Sequence, residues 1–222
     1  MNIALIPAKE TSKRIPNKNF MDFCGRKLLY WTIRQALDSK SIDRVVVSSD
    51  RPMLKTILLS WFGDEYKKVD VLERPSELCQ DNSTQEEVIQ HAIEALKLNA
   101  EDNIVLLQPT SLLRLDGDID KCIEQKAFSV NVEDDLYLWN TNDGITFKEL
   151  PREKIEVYYR ENGSIYSINC GEFREFDSRY GNFSMKHNYY QMQKWQQFEI
   201  DEPEDIEIVE YFFRRHILCQ KV

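Results

Sequence analysis

The stretch NIALIPAKETSKRIPNKN (residues 2–19) sets an unbroken apolar run against a loop that holds Lys9, Ser12, Lys13, Arg14 and Lys18. An apolar run without alternation reads as a strand buried on both faces, the habit of parallel sheets. In open parallel sheets, ligands bind beyond the carboxyl ends of the strands, which is where this loop falls. The chain as a whole is acidic, with a formal charge of −9, so four cations gathered here need a reason. A bound phosphate group supplies one, because phosphate recognition needs cations together with hydroxyl or backbone donors. The loop carries neither the GxxxxGK[ST] pattern nor the GxGxxG fingerprint. A solvated surface turn is the competing reading.

Working outward, strand-like and helix-like segments alternate. Helical spacing at 28–39 precedes the β-branched run RVVVSS (44–49), and a helix over 53–62 precedes a short strand at 68–72. STQEEVIQHAIEAL (83–96) reads as a helix opened by a capping box of Ser83 with Glu86. A buried strand (103–108), a helix (119–125) and another strand (127–132) follow. Apolar strands separated by helices predict an α/β fold, a mostly parallel sheet with helices on both faces. Beyond residue 133 the chain turns polar, with strand-like pieces near 145–149 and 164–168, and an amphipathic helix closes it at 202–215. A single domain over 1–222 with an inserted arm at about 133–163 is the simplest organisation.

Composition narrows the function classes. The acidic balance argues against nucleic-acid binding, which rests on many neutralised phosphates. No apolar run reaches the ~18 residues of a membrane span, and KETSKR follows the first short apolar stretch at once, so a cytoplasmic protein with no membrane partner is expected. The five cysteines show no CxxC spacing and the three histidines stand far apart, so a zinc site or disulfide framework is not expected.

Several polar groups outside the loop are candidates. Glu199 and Asp201 at i, i+2 would share one face of a strand and together suit a hard cation such as Mg²⁺. Asp201 could equally serve as a helix N-cap. DGDID (116–120) offers Asp-x-Asp, the metal pattern of sugar-nucleotide glycosyltransferases, but it directly precedes a helix and reads as capping. Asn162-Gly163 signals a turn. Arg152 and Arg160 flank a tyrosine-rich stretch and would have a purpose with a carboxylate-bearing substrate, since Arg pairs with carboxylate through two parallel bonds.

Taken together, IPAKETSKRIPNKN, DRVVVSSD, LERPSEL, LLQPTSLLR, ENGSIY and IDEPEDIEI resemble, in order and spacing, the acylneuraminate cytidylyltransferases, over residues 2 to about 212. The resemblance implies a Rossmann-like nucleotidyltransferase fold whose inserted arm pairs two subunits into a homodimer. It implies joining of CMP from CTP to a 2-keto-3-deoxy sugar acid, with release of pyrophosphate and with Mg²⁺ as cofactor. Carried over by position, Lys9, Ser12 and Lys13 would hold the triphosphate, with Lys18 and Asn19 on phosphate and nucleoside. Arg74, Thr84 and Gln85 would lie near the base, and Gln108, Arg152 and Tyr166 would line the sugar-acid pocket. Glu199 and Asp201 would hold the metal, with Lys13 and Asp201 catalytic. The chain departs from the family pattern at Lys9-Glu10-Thr11, at Gln85, at Glu199 and in DDLYLWN. Glu10 in particular has to point away from the phosphates. A nucleotidyltransferase for another acceptor, such as a sugar-1-phosphate, and a non-catalytic nucleotide-binding relative are the alternatives.

Overall fold

A computed structural model describes residues 1–134, 137–140, 146–149, 157–182 and 188–219. Its elements run β1 (Asn2–Pro7), β2 (Asp22–Phe23), β3 (Arg26–Lys27), α1 (Leu28–Asp38), β4 (Arg44–Ser49), α2 (Leu54–Phe62), β5 (Val69–Glu73) and α3 (Gln85–Ala95). There follow β6 (Asn103–Leu107), α4 (Asp118–Glu124), β7 (Phe128–Asp134), β8 (Tyr137–Asn140), β9 (Thr146–Glu149), β10 (Val157–Asn169), α5 (Cys170–Phe176), β11 (Tyr189–Gln191) and α6 (Asp205–Phe213).

The central sheet has seven strands in the order β11-β7-β10-β6-β1-β4-β5. β1 pairs parallel with both β4 (Ile3 opposite Arg44) and β6 (Ile3 opposite Ile104). The chain first builds outward from β1 through β4 to β5, then returns to the other side of β1 with β6. That reversal opens a crevice between the carboxyl ends of β1 and β6. β10 runs antiparallel to both its neighbours, β6 and β7.

Continuous apolar strands follow from cover on both faces. Ala4, Ile6, Val45 and Val47 pack with Leu29, Ile33, Leu54, Leu58 and Ile119, placing α1, α2 and α4 on one face. Ile3, Leu5, Val46 and Leu106 pack with Ile89, Ala92, Ile93 and Phe173, placing α3 and α5 on the other. A third cluster joins Val209 and Phe213 of α6 to Leu28, Leu112, Leu113 and Ile200. The mixed, mostly parallel architecture expected from the run pattern is the one observed.

Three local expectations are corrected. The capping box of α3 is formed by Thr84 and Glu87, one residue later than expected: Thr84 Oγ1 accepts from the Glu87 N–H (3.2 Å) and Glu87 Oε2 from the Thr84 N–H (2.7 Å). Glu86 is engaged elsewhere, paired with Arg179 at 2.8 Å. The stretch expected as an arm overlaps the sheet at both ends, since Val157 pairs with Asp134 and Arg160 with Asn131. Among the described residues β8 and β9 pair only with each other. Asp201 is not a helix cap: α6 begins at Asp205, whose Oδ2 accepts from the backbone N–H groups of Asp201 (2.9 Å) and Glu202 (2.7 Å). Among the described residues no helix is long and apolar enough to cross a membrane. All five cysteines are free.

Candidate active site

The loop after β1 is fixed before any ligand enters. The Ala8 N–H donates to Ser48 O (2.8 Å), Ser49 Oγ to Ala8 O (2.6 Å) and Asn19 Nδ2 to Lys9 O (2.9 Å). The Glu10 N–H donates to Asp50 Oδ1 (2.7 Å), and the Glu10 carboxylate pairs with Arg51 (3.3 Å). Arg51 in turn lies over the Phe20 ring, 4.1 Å from its centroid. Glu10 is therefore neutralised by Arg51 and drawn away from the loop's cations.

The cations reach to both rims of the crevice. On one side Asp81, in the segment before α3, takes Lys13 Nζ at 2.6 Å and Lys9 Nζ at 3.4 Å. The hydrogen bond from Lys13 holds the Asp81 carboxyl below its usual value. On the other side Lys18 Nζ donates to Ile200 O (2.8 Å) and Asp201 Oδ1 (3.1 Å). Arg14 pairs with Glu202 (3.0 Å) and Asp201 (3.4 Å).

Between the rims lies a cavity of about 530 Å³. Lys9, Ser12, Lys13, Lys18, Asn19, Arg74, Thr84 and Gln85, assigned to a nucleotide from sequence, all line it. Their burial differs. Arg74 is 6 % exposed and braces β4 by donating to Ser48 O (2.8 Å) and Ser48 Oγ (3.1 Å), with burial lowering its pKa. Gln85 Oε1 is buried with no hydrogen-bond partner.

A second cavity, about 780 Å³, adjoins the first. Tyr166, Glu199, Glu161 and Arg179 line it, and Gln108, Asp201 and Arg14 line both cavities. The junction therefore has an amide, a carboxylate and a guanidinium. Glu199 is brought there by the extended segment before α6 and accepts from Ser111 Oγ at 3.2 Å. Burial first, and Asp201 second, push the Glu199 carboxyl above its usual value. Gly163, in the left-handed region at φ +69°, sits in an irregular step of β10 between Glu161 and Tyr166. A Cβ there would stand 3.1 Å from Glu199 Oε2 and 3.4 Å from Gln108 Nε2. Tyr166 is 1 % exposed and donates its hydroxyl to Glu161, and burial followed by the Glu161 charge pushes the phenol up. Arg152 lies outside the described residues. A further depression of about 860 Å³, lined by Asp50, Glu73 and Ser76 among others, presents no lysine and does not suit a polyphosphate.

Sequence reasoning missed Arg114. Its guanidinium is 1 % exposed and donates to Gln108 O (2.8 Å), Ser164 O (2.7 Å) and Gln35 Oε1 (3.0 Å), tying the end of β6 to β10 and α1. Burial lowers its pKa. The only signal was an Arg closing the apolar run LLQPTSLLR. Asp81, held by two lysines, had no signal of its own. DGDID is structural. Asp118 accepts from Tyr190 Oη (2.8 Å), Gln196 Nε2 (2.7 Å) and the Leu115 N–H (2.8 Å), and Asp120 from the Ser41 N–H (2.9 Å).

The chain is similar to proteins of one chemistry. A family model described as cytidylyltransferase matches residues 3–221. An N-acylneuraminate cytidylyltransferase of Escherichia coli O18:K1:H7 is 28 % identical over 93 % of this chain and 50 % of its own length. A pseudaminic acid cytidylyltransferase of Campylobacter jejuni is 33 % identical over 76 % of this chain and 67 % of its own. The chain thus spans about half the length of the Escherichia coli relative. Two solved structures share the fold. A 4-diphosphocytidyl-2C-methyl-D-erythritol synthase has a TM-score of 0.65 at 14 % identity, covering 96 % of this chain and 97 % of that one. A CMP:2-keto-3-deoxy-manno-octonic acid synthetase complexed with CTP has a TM-score of 0.64 at 15 % identity, covering 100 % and 99 %. With its cation-lined crevice at the β1–β6 reversal and a family match running from residue 3 to 221, the chain belongs to the cytidylyltransferases.

Proposed function

We propose that the protein joins CMP from CTP to a 2-keto-3-deoxy sugar acid and releases pyrophosphate. The carrying observation is the pair of adjoining cavities, one lined by Lys9, Lys13 and Lys18 and the other by Tyr166 and Glu199, meeting at Gln108 and Asp201. Phosphoryl transfer of this kind asks the protein for positioning and charge compensation rather than covalent chemistry. In this reading the triphosphate displaces Asp81 from Lys13 and Lys9, so the loop cations exchange one anion for another. Ser12 and Asn19 add neutral donors, and Arg74, Thr84 and Gln85 form the base end. Gln108 and Tyr166 shape the acceptor side, so that the anomeric hydroxyl attacks the α-phosphate in line while Lys13 takes up charge on the departing pyrophosphate.

Glu199 and Asp201 suit a divalent cation. Among the described residues no group of three or more acidic, His or Cys side chains is assembled for a metal. Mg²⁺ is commonly held by only one or two carboxylates plus substrate phosphates. Burial and then the neighbouring Asp201 raise the Glu199 carboxyl, so a cation beside it would favour its charged form. When bound there, the cation would supply charge neutralisation at the transferring phosphate. We further propose a homodimer built on the segment that includes β8 and β9.

The test is pyrophosphate release by the purified protein with Mg²⁺, each of the four NTPs and a panel of sugar acids. Turnover is expected with CTP and one class of acid. Lys13→Ala should raise the KM for CTP about 10-fold, the order of one charge-assisted bond. Asp201→Ala should lower kcat by about 100-fold or more at saturating CTP. Folded protein that binds CTP but releases no pyrophosphate with any acid would instead mark a non-catalytic relative.

A further inference from the structure

A sugar acid brings a carboxylate into the second cavity, whose walls already hold Glu161, Glu199, Asp201 and Asp205. Arg152, expected on the acceptor side, lies outside the described residues, and among the described cations Arg14, Arg160 and Arg179 line this cavity. Arg14 is committed to Glu202 and Asp201 and is about half exposed, and Arg160 is exposed on β10. Arg179 differs from both. It stands in a tight turn after α5, where the Gly181 N–H donates to Ser178 O (3.1 Å) and the Tyr180 N–H to Ser178 Oγ (3.1 Å). Its guanidinium lies 5.3 Å from the Tyr166 ring centroid and 4.7 Å from that of Tyr180, and its side chain is 21 % exposed. Two flanking aromatic faces fix the plane of the fork.

The donors of Arg179 are unevenly used. Nη1 donates to both oxygens of Glu86 (2.8 and 3.1 Å), and Nη2 donates to Tyr180 Oη (2.9 Å). Nε is buried and has no hydrogen-bond partner. Guanidinium has five N–H donors, so Nε–H and the second Nη2–H remain. Nε–H and one Nη2–H share an edge of the guanidinium, the edge that grips a carboxylate through two parallel bonds. An unmet buried donor is costly, and a ligand that meets it recovers that cost on binding.

We propose that Arg179 is a specificity-determining residue that receives the acceptor's carboxylate on its Nε/Nη2 edge, with Tyr166 and Tyr180 fixing its plane and Glu86 of α3 its position. The inference rests on the second cavity being the acceptor site. It also links the two substrates, since Glu86 lies on the first turn of α3, beside Gln85 of the nucleotide cavity.

The experiment compares N-acetylneuraminic acid with its C1 carboxamide in two assays. One is calorimetric binding to the CTP-loaded protein without metal, and the other is turnover with Mg²⁺. Wild type should bind the acid over the amide. Arg179→Gln should weaken acid binding about 10- to 100-fold, the order of a charge-assisted pair, and abolish that preference. Arg179→Lys, which keeps the charge without the fork, should fall between them. The Kd for CTP should stay within about 2-fold of wild type in every variant, because Arg179 does not line the nucleotide cavity. Glu86→Gln breaks the same ion pair while leaving the guanidinium in place, so it should retain the acid preference. Loss of that preference in Glu86→Gln to the same degree would reduce Arg179 to a structural tie. Equal binding of acid and amide by wild type, or an undiminished preference in Arg179→Gln, would overturn the proposal. Acid-selective binding without turnover would uphold Arg179 and count against the catalytic reading alone.

Discussion

Glu199 shows how one residue records the demands of a site. Its carboxyl is pushed above the ordinary value by burial and then by Asp201, while the Ser111 hydroxyl and the Lys18 charge favour the ionised form. A carboxyl whose folded pKa is raised makes the folded state bind more protons between its unfolded and folded pKa values. The metal-free protein should therefore gain stability as pH falls through the raised Glu199 pKa, and lose that gain as pH rises above it. Glu199→Gln removes the penalty. At pH 7 it should raise the metal-free Tm by a few degrees and flatten the pH dependence in the mildly acidic range, while lowering turnover. Differential scanning calorimetry across pH, with and without Mg²⁺, reads this directly. Parallel pH profiles for variant and wild type would remove the charge argument. Glu10 makes the same point from the other side: an acid in a cation-rich loop is tolerated because Arg51 takes its charge.

At the scale of elements, β10 matters most. A single strand pairs with β7 along its first half and β6 along its second, and the irregular step around Gly163 brings its backbone against Gln108, Ser111 and Glu199. Gly163→Ala combines positive φ with a Cβ 3.1 Å from Glu199 Oε2. It should cost about 1–2 kcal/mol of stability and lower kcat more than the CTP affinity, because the acceptor side is what moves. Chemical denaturation with steady-state kinetics checks both. An unchanged kcat would show that the close approach serves packing only. The start of α3 is a second lesson. Two overlapping boxes, Ser83 with Glu86 and Thr84 with Glu87, fit the local rule equally. Tertiary contact decides between them, because Glu86 is drawn to Arg179 and Glu87 is left to cap.

For the whole molecule, the reversal of strand order at β1 is the organising fact, since it brings loops far apart in sequence to one edge. Lys18 meets Asp201 across 183 positions, and Lys13 meets Asp81 from a different crossover. Between β7 and β10 in the chain, β8 and β9 form a two-stranded sheet of their own among the described residues. If that segment joins two subunits, light scattering at micromolar concentration should give twice the chain mass. Replacing residues 137–149 by a short Gly-Ser linker should give the monomer. A wild-type monomer, or a dimer that survives the replacement, would refute the arm as the interface.

The sequence by itself determined the strands, most helices and the cation-rich loop at the edge of the sheet. Unbroken apolar runs mark strands covered on both faces, and the cations of 9–18 sit in one contiguous loop, so both signals are local. The second cavity was legible only in part. Gln108, Tyr166, Glu199 and Asp201 were read from short motifs, whereas Arg114, Asp81 and Arg179 were not. Asp201 was ambiguous until α6 proved to begin at Asp205. What the tertiary structure alone decided is which charges are already spent. Asp81 occupies Lys13, Glu10 is taken by Arg51, and Arg179 keeps its buried Nε–H unused. The physical reason is that hydrogen bonding and burial depend on neighbours in space, and pairs such as Arg179 with Glu86 or Arg14 with Glu202 lie far apart along the chain.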